Sequence, residues 1–175
     1  MILRIVAIVA VLIAGVLLYA ASKPNTFLIQ RSITINAPPD RIFALVNDFH
    51  NWSVWAPQDK DDPTLTRTYS GPVSGKGAVS EWIGSGSSGR GRMSIVESQP
   101  PRNISVKVDF VKPFEAHNVN DFTIEPQGTL TTVTWRMQGT NVYAMKVMSI
   151  FLNMDRFMGK HFEAGLANLK AAAER

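Results

Sequence analysis

Residues 145–173, MKVMSIFLNMDRFMGKHFEAGLANLKAAA, decide the fold of this chain. Met145, Met148, Leu152, Met154, Phe157, Met158, Phe162, Leu166, Leu169 and Ala173 recur at spacings of three and four, the period of one helix face. The stretch predicts a long amphipathic helix, kinked near Asn153, Met154 and Asp155. Gly159 and Gly165 lie inside it. Each costs about 1 kcal/mol against Ala in a helix interior, a cost that close approach to a sheet would offset.

Upstream of this helix the period is two. Residues 65–69, 77–83, 92–98, 103–111, 116–125 and 130–138 read as strands, separated by Gly71-Pro72, the Gly/Ser stretch 84–89, Pro100-Pro101, Lys112-Pro113 and Pro126-Gln127-Gly128. Short turns between successive strands mean an antiparallel meander. Pro113 suggests a bulge or break in its strand. Further back, Phe27, Ile29, Arg31, Ile33 and Ile35 alternate as one face of a first strand over 27–35. Pro38, Pro39 and Asp40 then suit the start of a short helix with Ile42, Phe43, Leu45 and Val46 on its apolar side. Residues 48–57 read as a second short helix or turn, and 58–63 as a polar loop. The order is strand, two short helices, six strands, long helix. A curved seven-stranded antiparallel sheet wrapped round the terminal helix satisfies it. The first strand pairs with the last, and the short helices plug one end. The space between sheet and helix is where a ligand would sit.

The chain begins MILRIVAIVAVLIAGVLLYAAS, with Arg4 its one charge. A spanning helix needs roughly 20 mostly apolar residues, and residues 2–21 meet that. A signal peptide also fits, with Ala20-Ala21-Ser22 as its cleavage site. Leu18 and Tyr19 crowd that site, and the apolar run is long for a cleaved signal, so the uncleaved anchor is preferred. The division is 1–22, transmembrane anchor or signal peptide, and 23–175, one soluble domain. A three-residue tail before Arg4 favours an amino terminus inside and a domain on the extracytoplasmic, periplasmic side.

Composition narrows the chemistry. The absence of cysteine removes disulfides, thiol catalysis and thiolate metal sites. The net charge of +4 is scattered, with no basic run of the kind a nucleic acid requires, so no nucleic-acid partner is expected. A basic surface near anionic headgroups is the preferred reading.

Several strings carry a resemblance: INAPPDRIF at 35–43, DFHNWSVWAP at 48–57, YSG at 69–71, GKGA at 75–78 with Trp82, and GKHFEAGLANLK at 159–170. With the order of elements, they make the chain resemble the SRPBCC superfamily over residues 26–174. That superfamily comprises START domains, the birch-pollen allergen class and bacterial polyketide cyclase/dehydrase proteins. The amino-terminal segment resembles a membrane-anchored bacterial subgroup. The resemblance implies an α+β helix-grip fold and a cavity for a lipid or other hydrophobic small molecule. It implies no catalytic motif.

The candidate ligand-binding residues are Trp52, Trp55, Tyr69, Trp82, Phe110, Asn118, Phe122, Trp135, Met154 and Met158. Singly, each reads as ordinary core. Together the aromatics and methionines suit an adaptable apolar pocket, with Tyr69, Asn118, Asn120 and Arg136 as polar groups that would orient a ligand if they point inward; an inward Arg136 would need a carboxylate, which a ligand headgroup could supply. Arg136 alternates with Trp135 and Met137 and so faces out if they face in. The alternative function is a cyclase, dehydratase or hydrolase on a polyketide-like or aromatic substrate. It would need an inward-facing group with a shifted pKa, from His117, Asp121 or Arg136. Gly84 to Gly89 matches G-x-G-x-x-G literally, but a strand follows it where a dinucleotide site needs a helix. His50, His117 and His161 fall in three elements without ligand spacing, so no metal is expected, and no cofactor either. Oligomeric state is left open.

Overall fold

The computed structural model describes residues 2–57, 62–85, 88–112 and 115–175. The polar loop expected over 58–63 and the turn over 84–89 lie partly outside these residues, and the break expected at Pro113 wholly so. The elements are α1 (Ile2–Ser22), β1 (Thr26–Ile35), α2 (Pro39–Asn47), a 3-10 turn (Phe49–Asn51), α3 (Trp52–Trp55), β2 (Thr66–Ser70), β3 (Val79–Ile83), β4 (Arg90–Gln99), β5 (Asn103–Lys112), β6 (Ala116–Gln127), β7 (Leu130–Thr140), α4 (Tyr143–Phe151) and α5 (Met154–Ala173).

The strands form one antiparallel sheet in the order β1-β7-β6-β5-β4-β3-β2. β1 closes onto β7 from Thr26↔Thr140 to Ile35↔Thr131, the first-to-last pairing that the strand order predicts. Register shifts at Arg90/Gly91 and Ile95/Glu97 mark bulges between β4 and β5, which bend the strand and add twist. The alternation of side chains sets the two faces. Asn118, Asn120, Phe122 and Ile124 of β6 and Thr131, Val133, Trp135 and Met137 of β7 are buried on the concave side.

The long terminal helix is two helices. α4 ends with Leu152 in extended conformation, and Asn153 caps α5, its side chain accepting from the Arg156 backbone N–H at 2.9 Å. An Asn that caps a new helix competes with continuation of the old one, so the expected kink is a full break.

At the closed end of the grip, α2, the 3-10 turn and α3 pack an aromatic core. Trp52, Trp55, Phe122, Trp135 and Phe162 are all buried. Trp135 stacks on Phe162 at 4.1 Å with an interplanar angle of 6° and lies 5.1 Å from Phe122 and 5.8 Å from Trp55. Every indole N–H donates: Trp52 to Val46 O, Trp55 to Leu45 O, Trp82 to Ser88 O and Trp135 to Asn120 Oδ1, all at 2.9–3.0 Å. A buried Trp leaves no orphan donor this way. A Cβ at position 165 would come within 2.9 Å of the Trp135 ring, so α5 reaches the sheet here because residue 165 is Gly.

At the opposite end Asp62 ties the approach to β2 to the turn after β3. Its carboxylate accepts from the Thr64 hydroxyl at 2.6 Å, the Thr64 N–H at 2.9 Å and the Ser85 N–H at 3.1 Å. The Thr64 hydroxyl, followed by Ser88, holds its pKa down to about 2. A carboxylate depressed in the folded state stabilises the fold above its unfolded pKa, near 3.9, and that stabilisation is lost as pH falls toward about 2. Denaturant titrations between pH 5 and pH 2 should therefore show a steeper loss for the native chain than for Asp62→Asn. Equal slopes would contradict this role for Asp62.

Candidate functional site

Between the sheet and the paired terminal helices lies an apolar cavity of about 310 Å³. Its floor is Phe27 and Ile29 of β1, Phe110 of β5 and Met137 of β7; its roof is Met145 and Met148 of α4 and Met154 and Met158 of α5. Strand alternation explains the floor. Phe27 and Ile29 share the face of Ile33 and Ile35, and Met137 shares that of Trp135. The helix period explains the roof. Ligand cavities run from about 300 to 1,000 Å³, so this one suits a slender molecule. A larger indentation of about 470 Å³ is edged by His117, Val119, Arg136 and Gln138. These point to the convex side of the sheet, so it is an open surface groove with no apolar roof.

One polar atom stands out. Asn118 is 7% exposed, lines the cavity, and its Oδ1 has no hydrogen-bond partner. An unpaired buried acceptor costs roughly 1–3 kcal/mol, a cost that a donor on a bound molecule would remove. Among the described lining residues the one ionisable side chain is Asp155, at the rim. Arg31 holds it, with Nη2 3.0 Å from Asp155 Oδ2 and Nε 2.8 Å from Glu163 Oε1. The hydrogen bond from Arg31 keeps the Asp155 carboxyl below its ordinary range. Asp155 and then Glu163 raise the guanidinium above its own. A Cβ at position 159 would come within 1.9 Å of Arg31 Nη2. Gly159 therefore lets α5 cross over the guanidinium, and Asp155 and Glu163, one turn to either side, clamp it. At the rim one guanidinium is shared by two carboxylates, and the interior is uncharged.

The groups considered for acid–base chemistry lie elsewhere. His117 is on the convex face with Nδ1 2.6 Å from Asp109 Oδ1, and this contact raises its pKa. Asp121 accepts from the Ser105 hydroxyl at 2.6 Å on that same face. Arg136 is exposed, pairs in register with Asp121 and Gln30, and reaches Gln138. It faces out while Trp135 and Met137 face in. Among the described residues no group of three His, Asp or Glu side chains is placed to hold a metal ion. Described residues 88–89 lead directly into β4, so a strand and not a helix follows the Gly/Ser stretch.

A seven-stranded antiparallel sheet gripping a carboxy-terminal helix over a cavity is a recognisable architecture, and the sequence after α1 matches a family model. A family model described as "Polyketide cyclase / dehydrase and lipid transport" covers residues 26–174. The chain belongs to this family. The domain is therefore a polyketide cyclase/dehydrase-type helix-grip domain of the SRPBCC kind. Solved structures carry the same fold. Protein CV1439 from Chromobacterium violaceum superposes with a TM-score of 0.61 at 16% identity, covering 87% of this chain and 99% of its own. The di-domain ARO/CYC BexL from the BE-7585A biosynthetic pathway superposes with a TM-score of 0.62 at 14% identity, covering 90% of this chain and 53% of its own. The Aha1 dimer protein of Colwellia psychrerythraea gives 0.55 at 18% identity, over 85% and 96%. No curated protein matches the chain.

Within this cyclase/dehydrase-type domain the ten residues singled out from sequence divide. Phe110, Asn118, Met154 and Met158 line the cavity. Trp52, Trp55, Phe122 and Trp135 form the filled aromatic core at the plugged end. Trp82 packs on Phe110 at 5.4 Å and lines, with Trp52, a minor cavity of about 120 Å³ behind it. Tyr69 is half-exposed on the edge strand β2, its ring 4.0 Å from that of His50. The division has a simple cause. Large rings are best accommodated where α2 and α3 can interdigitate with them, so they fill that end and leave the methionine end hollow. Phe27, Ile29, Met137 and Ser149 also line it and were not singled out, although the alternation of β1 and β7 places the first three on the concave face.

Proposed function

We propose that the chain is a membrane-anchored binding protein that holds a lipid or other hydrophobic small molecule between sheet and terminal helices. The observation that carries this reading is the methionine-roofed cavity with one orphan amide oxygen, Asn118 Oδ1, inside it. Four methionines form an adaptable roof. Burial of an apolar tail gains about 0.8 kcal/mol per CH2. The favoured ligand carries a neutral hydroxyl or N–H donor to Asn118 and no ionised group, since the interior offers no counter-charge. α1 supplies the anchor. Its Arg4–Ser22 stretch is long and apolar enough to cross a membrane and is almost wholly exposed. With Arg4 read as the cytoplasmic flank of α1, the domain lies on the extracytoplasmic side. Tethering raises the local concentration near a lipid source.

The family description and the likeness to an ARO/CYC protein also support catalysis on a polyketide-like substrate. That reading needs an acid or base in the cavity, and Asp155, the one ionisable lining group described, is already engaged by Arg31. Binding is the better fit.

The test uses the full chain in micelles with a neutral naphthylamine probe, read by energy transfer from the core tryptophans. Saturable uptake of one probe per chain supports the proposal; partitioning that rises linearly, as in protein-free micelles, would overturn it. Asn118→Leu removes the orphan acceptor at nearly the same shape. It should leave thermal stability unchanged or raised, and shift preference from alcohol-bearing to hydrocarbon competitors by several-fold. Unchanged preference would remove Asn118 from the binding role.

A further inference from the structure

The strand registers sort the turns by end. Phe27, Phe110, Ala116, Asn118 and Gly139 all lie at the end of the sheet where β1 begins, one short link after α1. The cavity therefore opens toward the anchor helix. α4 packs directly on α1. Tyr143 Oη donates to Leu17 O at 2.8 Å, and Lys146, 7% exposed, donates from Nζ to Asn25 Oδ1 at 2.5 Å. Ala20 is fully buried in this junction. Leu17 lies five residues inside the carboxy-terminal end of α1, roughly 7 Å along a helix axis at 1.5 Å per residue. A span that ends at Ser22 thus holds the Tyr143 hydroxyl roughly 7 Å inside that end, just below the headgroups, beside the interface where tyrosines of membrane proteins collect.

Around this point the domain exposes large apolar side chains. Phe151 and Phe157 are each 72% exposed, Leu152 54%, Tyr143 and Met148 nearly half. Phe151, Leu152 and Phe157 flank the α4–α5 break, Tyr143 opens α4, and Met148 also lines the cavity. Large apolar side chains exposed together at one elbow of a folded domain mark an interaction site. The charges beside it suit an anionic surface. Arg156 and Lys160 are exposed on the first turns of α5 next to Phe157, and Lys23 ends the anchor, while Asp155 is neutralised by Arg31.

We propose that the α4–α5 elbow, with Phe151, Leu152 and Phe157, seats in the headgroup region of the bilayer that α1 spans, so that the cavity mouth opens into lipid. This rests on the reading of α1 as an uncleaved anchor. A ligand then passes between membrane and cavity without crossing water, and the methionine roof is the part that must part.

The chain has no cysteine, so single cysteines can carry an environment-sensitive fluorophore without background. The variants are Phe151→Cys, Phe157→Cys, Val11→Cys in the anchor and Val73→Cys in the β2–β3 turn. Val73 is exposed at the far end of the sheet. The full-length chains are reconstituted in vesicles of phosphatidylcholine and phosphatidylglycerol and quenched by nitroxide lipids of shallow or deep label. The expected result is deep quenching at Val11, shallow quenching at Phe151 and Phe157 several-fold above that at Val73, and Val73 reached by a water-soluble quencher. If Val11 is quenched but Phe151 and Phe157 behave like Val73, the anchor stands and the docked elbow is overturned. If Val11 itself escapes lipid quenching, the anchor reading fails and the docking proposal falls with it.

Discussion

Trp135→Ala lowers the stability of the domain by about 3–5 kcal/mol, the range for loss of a large buried ring. Trp135 is 3% exposed and touches Trp55, Phe122 and Phe162 at once. Gly165 lets the helix close on its ring edge. Removal opens a void between two elements that the ring alone keeps in register, and it strands Asn120 Oδ1, which accepts the indole N–H at 2.9 Å. Domains of this size hold about 5–15 kcal/mol in total, and each kcal/mol shifts Tm by roughly 2–4 °C. A loss of about 4 kcal/mol thus moves the transition by roughly 8–16 °C in a thermal scan. Trp135→Phe should fall between, since it keeps a ring but leaves the Asn120 acceptor unpaired at about 1–3 kcal/mol. A shift for Trp135→Ala of less than about 2 °C would show that this cluster is not the core the packing describes.

Met158→Trp should do the reverse: a large effect on ligand uptake with a small one on folding. Met158 is partly buried and lines the cavity, yet it lies outside the buried aromatic cluster. An indole at 158 fills space that is otherwise empty, so the overpacking cost of a tight core, about 1–3 kcal/mol, is largely avoided. Affinity for the neutral probe should fall at least about tenfold, equivalent to about 1.4 kcal/mol, while Tm stays within roughly 4 °C of the native chain. The pair of variants separates the two ends of the grip. The account expects Trp135 to govern folding and Met158 to govern occupancy. Equal probe affinity in Met158→Trp and the native chain would place the ligand outside this cavity.

The division between these ends explains how far the sequence could be read. Period-two alternation from Thr66 to Thr140 and the three–four spacing after it gave the sheet, its meander and the helix that it grips, because those periods are consequences of backbone geometry. Alternation put Arg136 on the face opposite Trp135 and Met137, but which face is inward was settled only by the packing of the sheet against α5. The site was only half legible. Residue type suggested that the tryptophans would hold a ligand, but whether a ring fills space or borders it depends on what α2 and α3 pack against it. That is a tertiary fact with no local signature. The methionines were better guides, since their helical stripe had no partner of comparable size. Arg31 was visible on the inward face of β1, yet its clamp by Asp155 and Glu163 across Gly159 depends on the helix crossing the strand at that residue. The break at Asn153 was signalled by the Asn-Met-Asp string, and its completeness came from the side chain that caps α5.

Native mass spectrometry of the full chain, released from micelles after mild purification, tests the central claim most directly. The account expects a population of native chains carrying one additional small, neutral, lipophilic mass that denaturation releases, and Met158→Trp at the mass of its polypeptide alone. A native chain found only at its polypeptide mass, before and after exposure to a whole-lipid extract, would contradict the account.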